Sequence, residues 1–258
     1  MRVFVVLLAL ASIVPAALAD ELGKILKAHQ ARGAIVIERM SDGKRWVHDE
    51  KRAAKRFIPA STFKIPNTIF ALETGAVANV DEIIPSDGKV WRIKEWNKAQ
   101  SLRDAFKHSA LPIYQEVARR IGLARMTELV AKAGYGNEEV GTAVDTFWLK
   151  GPLRISPDEQ ISFLKRLHGR QLPFSRGAQD ATIGIMEVLR HNGRILRAKT
   201  GWEIASSPAI GWYVGWLEAR DDVFFFAVDI DMTKKSHRRG RSQIAIDALG
   251  WATGKPLR

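Results

Sequence analysis

The chain has 258 residues, 46% apolar and 26% charged, with no cysteine. That is enough apolar material for a full-sized core, and it excludes disulfides, cysteine nucleophiles, thiolate metal sites and a lipidated N-terminal cysteine. Forty Lys and Arg against 28 Asp and Glu give a formal net charge of +12, a balance suited to nucleic acid, an acidic envelope surface or an anionic small molecule.

Residues 1–19 set Arg2 before an apolar run broken only by Ser12 and Pro15, ending Ala17-Leu18-Ala19. This pattern predicts a secretory signal cleaved near Asp20 rather than a retained membrane helix, because a span needs about 20 apolar residues and Pro15 interrupts these. No second apolar run of that length follows, so no stable membrane insertion is expected after cleavage. Without Arg2 the balance is 39 against 28, or +11. Export without cysteine fits a periplasmic or secreted bacterial protein and argues against nucleic acid as partner.

Leu22, Ile25 and Leu26 mark one face of a helix ending before Gly33. Strands are predicted over 34–39 and 45–48, joined by Ser41-Asp42-Gly43, a hairpin signal. From Ser61 to about Arg190 the pattern is mainly helical, over 102–106, 113–121, 126–133, 157–167 and 178–189. Strands return over 195–200, 210–217 and 223–230, followed by an amphipathic helix over 242–251. The run Lys234-Lys235-Ser236-His237-Arg238-Arg239-Gly240-Arg241 reads either as a solvated loop or as an anion-facing surface. Strands at both ends with helices between predict an α+β fold: a central antiparallel sheet built from both termini, flanking helices and a mainly helical inserted lobe. The expected layout is one domain over 20–258, with a sheet lobe at about 20–60 and 195–258 and a helical lobe at about 61–194. The cleft between them is the default place for a site.

Ser-x-x-Lys occurs at Ser41/Lys44, Ser61/Lys64, Ser86/Lys89 and Ser162/Lys165. Ser41 and Ser86 open Asp-Gly turns, and Ser162 lies within an ordinary amphipathic helix. Only Ser61 follows an apolar approach, Phe57-Ile58-Pro59-Ala60, and begins a helical segment. There the Ser61 hydroxyl and the Lys64 amine share a face. Phe63, Ile65 and Ile69 would bury the amine, and burial lowers a lysine pKa by up to about 3–5 units, which makes it a base. The competing reading is a simple N-cap serine with a surface lysine. Downstream, Lys199-Thr200-Gly201 ends a predicted strand, where Gly permits close backbone approach and Lys with Thr can hold an anion.

Ser-x-x-Lys followed far downstream by Lys-Thr-Gly is the penicillin-recognising serine-enzyme signature. The order and spacing of Pro59-Ala-Ser61-Thr-Phe-Lys64-Ile-Pro-Asn67, Ser109-Ala-Leu111, Tyr135-Gly-Asn137, Phe147-Trp148-Leu149-x-Gly151, Lys199-Thr-Gly201 and Gly215-Trp216 resemble the class D β-lactamases, or oxacillinases, over essentially the whole mature length. Two departures stand out. Leu111 occupies a position that is usually Val or Ile, and Lys98-Ala99-Gln100 replaces an acidic residue after Trp96-Asn97.

The resemblance implies an acyl-enzyme on Ser61 and, in place of a cofactor or metal, a carbamate formed from carbon dioxide on Lys64. Trp148 would donate its indole N–H to that group, with Phe63, Leu111 and Leu149 keeping the pocket dry. By the same resemblance Ser61 and Trp202 supply the oxyanion-hole N–H groups, Ser109 passes a proton to the lactam nitrogen beside Lys199, and Lys199, Thr200 and Arg241 clamp the substrate carboxylate. Arg238 and Arg239 are the other candidates for the clamp. The implied partner is a small-molecule β-lactam, and the implied state a monomer or homodimer. The short segment at 202–209 resembles that of carbapenem-hydrolysing members in length. The alternatives are a penicillin-binding transpeptidase or antibiotic-sensor domain with slow deacylation, and a non-catalytic basic envelope-binding protein.

Overall fold

Leu22 and Leu26 of helix α1 (Ala16–Ala28) fall one turn apart and enter one apolar cluster with Ile35 and Ile37 of strand β1 (Gly33–Arg39) and Trp46 of β2 (Arg45–His48). The computed structural model describes residues 16–257; the expected signal segment, 1–19, lies largely outside them. β1 and β2 pair antiparallel, Val36 against Val47, across the turn at Ser41-Asp42-Gly43. The Asp42 carboxylate accepts from the Lys44 backbone N–H at 3.0 Å, fixing that turn.

The middle of the chain is helical, as the pattern predicts. After the short helix α2 (Glu50–Ala53), a 3₁₀ turn (Ala60–Phe63) leads into α3 (Lys64–Glu73). A two-stranded patch, β3 (Ile83–Ile84) with β4 (Gln100–Ser101), precedes α4 (Leu102–Lys107), α5 (Leu111–Ile121) and α6 (Leu123–Ala133). Then come α7 (Pro157–His168) and α8 (Arg176–Ile185). α7 starts where its sequence dictates: Ser156 and Glu159 form a reciprocal capping box, with Pro157 in the first turn. Its buried Phe163, Leu164 and Leu167 share a core with Ala34, Val36, Trp212, Val214 and Ala227 of the sheet.

The sheet closes with β5 (Glu187–His191), β6 (Arg194–Glu203), β7 (Ile210–Glu218) and β8 (Val223–Asp231), and α9 (His237–Ala252) ends the fold. Strand order is β2-β1-β8-β7-β6-β5, and each neighbouring pair is antiparallel. β1 lies against β8, Gly33 opposite Ile230 and Arg39 opposite Phe224, so the two ends of the chain meet mid-sheet as expected. Both faces are covered, and alternate residues serve each: Phe225 and Ala227 face the helical lobe, while Phe224, Phe226 and Val228 face α1 and α9.

Two boundaries differ from expectation. The helix predicted over 178–189 stops at Ile185, and residues 187–191 form the edge strand β5. Asn192 and Gly193 both take positive φ, a primed hairpin turn that pairs β5 with β6; tertiary pairing overrides a local pattern that suits either state. The last helix begins at His237, not at 242. His237 is buried with its ring on the Asp231 carbonyl at 3.0 Å, and Arg241 is buried too, which anchors the first turns of a segment that also reads as a loop. Among the described residues no helix is long and apolar enough to cross a membrane.

Candidate active site

Ser61 sits in the 3₁₀ turn, and the α-helix starts only at Lys64. Residues three apart eclipse in 3₁₀ geometry, and the Lys64 Nζ accordingly reaches Ser61 Oγ at 3.0 Å. Lys64 is buried, and burial alone pushes its amine down to about 7. Its Nζ lies 5.1 Å from the centre of the Tyr114 ring. The residue before the nucleophile candidate, Ala60, holds φ at 48°, and its N–H donates to the Trp148 carbonyl at 2.9 Å. A non-glycine residue at positive φ costs on the order of 1–3 kcal/mol; here the Trp148 carbonyl holds that turn in place.

A second serine–lysine pair comes from residues 90 apart in sequence. Ser109, also at positive φ (54°), stands between α4 and α5 and accepts a hydrogen bond from Lys199 Nζ at 3.0 Å. Lys199 is buried, and its amine is held well below the usual lysine range, first by desolvation and then by repulsion from Lys64 and Arg241. Thr200 and Trp202 flank Gly201 on β6. A Cβ at Gly201 would sit 3.0 Å from the Pro59 carbonyl oxygen and 3.1 Å from Thr62 Cγ2, so glycine lets β6 press against the turn that carries Ser61.

Behind Lys64, Phe63 stacks on Trp148 with ring centres 5.3 Å apart and meets Phe147 edge-on at 4.9 Å. The Trp148 indole nitrogen is buried and has no hydrogen-bond partner. A buried N–H without an acceptor is uncommon and needs an explanation. Leu111 opens α5 half-buried, and Leu149 is half-buried beside Trp148.

A cavity of about 580 Å³ joins these parts: Ser61, Ser109, Leu111, Leu149, Thr200, Gly201, Trp202 and Arg241 all line it. Arg241 lies in the second turn of α9. Its Nε and Nη1 are buried without partners, and its pKa is pushed down to about 10, chiefly by desolvation. Arg238 also lines the cavity, whereas Arg239 does not. The Tyr135-Gly-Asn137 motif does not reach the cavity. The Tyr135 hydroxyl takes a 3.3 Å bond from Gln160 beside Thr62, and Asn137 ties down the loop at Pro152 and Arg154.

Of the opposite rim, formed by Trp91, Arg92, Ile93, Trp96 and His108, sequence reasoning had singled out only Trp96. Trp91 and Trp96 pack edge-on at 5.6 Å, and Asn97 holds the loop by bonding the Trp91 backbone at both N–H and carbonyl. Two tryptophans in a polar loop were the available signal. Lys98, at the departure noted above, is exposed and lies off the cavity lining.

The penicillin binding protein transpeptidase domain family matches residues 23–249. β-Lactamase OXA-48 of Klebsiella pneumoniae is 42% identical over 204 residues, covering 79% of this chain and 77% of its own. β-Lactamase OXA-2 of Salmonella typhimurium is 40% identical over 210 residues, covering 81% and 75%. Among solved structures, the class D β-lactamase YbXI from Nostoc superposes with a TM-score of 0.86 at 40% identity, over 89% of this chain and 98% of that one. FUS-1 (OXA-85), a class D β-lactamase from Fusobacterium nucleatum subsp. polymorphum, gives 0.87 at 36% identity, over 90% and 97%. A serine–lysine pair at the floor of the cleft, a second such pair beside it and this degree of likeness across the whole fold place the chain in the class D β-lactamase family, the oxacillinases.

Proposed function

We propose that the protein is an exported serine β-lactamase that opens the lactam amide of penicillins and related antibiotics through an acyl-enzyme on Ser61 and so confers resistance. The observation that carries this reading is Ser61 Oγ 3.0 Å from a buried lysine whose amine titrates near neutrality. Ser61 gives up its proton across that bond as Oγ attacks the lactam carbonyl carbon. The Ser61 and Trp202 backbone N–H groups receive the charge that develops on the carbonyl oxygen. The C–N bond then breaks, and the proton removed from Ser61 is returned to the lactam nitrogen by relay through Ser109, which gives up its own proton as it receives another and which Lys199 holds in place. Hydrolysis of the Ser61 ester by water completes turnover.

Lys64 is also suited to carry a carbamate from carbon dioxide, a group that would supply an anionic general base at this position. The fit rests on this chain's own residues: an amine whose pKa burial lowers to about 7, a Trp148 N–H buried without an acceptor, and apolar cover from Phe63, Leu111 and Leu149.

Hydrolysis of a chromogenic cephalosporin, followed by a panel of a penicillin, oxacillin, a cephalosporin and a carbapenem, tests the reading. Sustained multiple turnovers are expected. A single stoichiometric burst would instead identify a transpeptidase or sensor, and no reaction a binding protein. Arg241→Ala is expected to raise KM for penicillins about ten- to a hundredfold. It removes a desolvated charge-assisted contact worth about 1.5–3 kcal/mol. An unchanged KM would move the carboxylate clamp elsewhere.

A further inference from the structure

Among the described residues no Asp or Glu lines the cleft, yet Arg92, Arg238 and Arg241 all do. One substrate carboxylate accounts for Arg241. Arg238 precedes it by three residues on α9, so both point to one face of the helix. Many of the described arginines rest on carboxylates, as Arg39 does on Asp42, Arg52 on Asp229 and Arg103 on Asp81. Arg238 instead lays its guanidinium 5.0 Å from the centre of the exposed Trp202 ring, and its side chain bonds to no acid among the described residues. Stacking restrains a long side chain without neutralising it. The same two arginines also line an adjoining cavity of about 460 Å³, completed by Lys235, Ser236 and Arg239. The positive field therefore extends out of the cleft past α9, and Arg238 repels Arg241 across it.

We propose that Arg238 is a specificity-determining residue that favours β-lactams carrying a second anionic group on the ring substituent next to the carboxylate. The site of that group follows from the one-turn separation between Arg238 and Arg241, and the proposal rests on the β-lactamase reading above. A monoanionic substrate leaves two neighbouring cations with one counter-charge between them. A dianionic substrate supplies the second.

A matched pair of cephalosporins tests this: identical acyl side chains, with a 3-tetrazolylthiomethyl group bearing either N-methyl or N-sulfomethyl. Each competes against a chromogenic cephalosporin, so an apparent affinity is obtained even where turnover is slow. The parent is expected to favour the sulfonate over its neutral partner by about fivefold. Arg238→Gln should abolish that preference, Arg238→Glu should reverse it and Arg238→Lys should retain part of it. Raised salt should weaken it, because the site is exposed. An unchanged preference ratio in both the Gln and Glu variants overturns the role of Arg238 while leaving the hydrolase reading intact. Failure to hydrolyse the chromogenic reporter overturns that reading itself, and this inference with it.

Discussion

Ser61→Ala is expected to abolish the penicilloyl mass increase seen when the parent is incubated with benzylpenicillin, and to lower hydrolysis on the order of 10⁴–10⁶-fold. The expectation rests on Ser61 being the serine bonded to the buried, near-neutral Lys64. Of the other three Ser-x-x-Lys pairs, Lys44 and Lys89 are exposed. Lys165 is bonded to Glu38 and so is already occupied. The half-buried Ser61 side chain faces the cavity, so its removal should spare the fold, as circular dichroism and a thermal melt would verify. A folded Ser61→Ala protein that still gains the adduct mass would transfer the nucleophile to another residue, with Ser109 the first to examine.

The second large effect concerns Lys64 and Trp148. Burial disfavours the ammonium form, so the amine is neutral above about pH 7 and protonated below it. Only the neutral amine reacts with carbon dioxide or accepts a proton. Activity is therefore expected to fall as pH drops through about 7 in carbon-dioxide-depleted buffer, and to return on adding bicarbonate. Labelled bicarbonate should give a carbamate carbon signal by NMR that Lys64→Ala lacks. The buried Trp148 N–H is the donor available to such an anion, and losing a donor to a buried charged group costs about 1–3 kcal/mol or more. Trp148→Ala should acylate slowly and accumulate acyl-enzyme, with bicarbonate giving partial rescue. Trp148→Phe, which keeps the stack on Phe63 and removes only the N–H, guards against a folding defect. Parental turnover in Trp148→Phe, or no carbamate signal in the parent, would leave unmodified Lys64 as the base.

Much of the architecture was legible because it is local. The nearly continuous apolar runs at 34–39, 210–217 and 223–230 predicted strands that the structure contains, and they are continuous because both sheet faces are buried and alternate residues serve each. The Ser61–Lys64 pairing was legible from a spacing of three, which helical geometry converts into contact whether the turn is α or 3₁₀. Residues 187–191 were not legible. Glu-Val-Leu-Arg-His suits a helix as well as an edge strand, and only pairing with β6 across Asn192-Gly193 decides between them.

What tertiary structure alone decided are meetings between distant segments. Ser109 and Lys199 become a hydrogen-bonded pair only because β6 packs against the turn at residues 59–62, at a separation Gly201 permits. Trp148 reads in the sequence as one more buried aromatic, and its unsatisfied N–H exists only once Phe63 and Phe147 close around it. Arg238 and Arg241 look alike within a basic run, yet Arg241 is buried with unsatisfied N–H donors while Arg238 is stacked on Trp202 at the rim. Periodicity and spacing act over a single turn or strand and so are written in the residues themselves. Desolvation and charge pairing depend on which segments the fold brings to one place, and that sets the pKa of Lys64, the open N–H of Trp148 and the surroundings of Arg238 and Arg241.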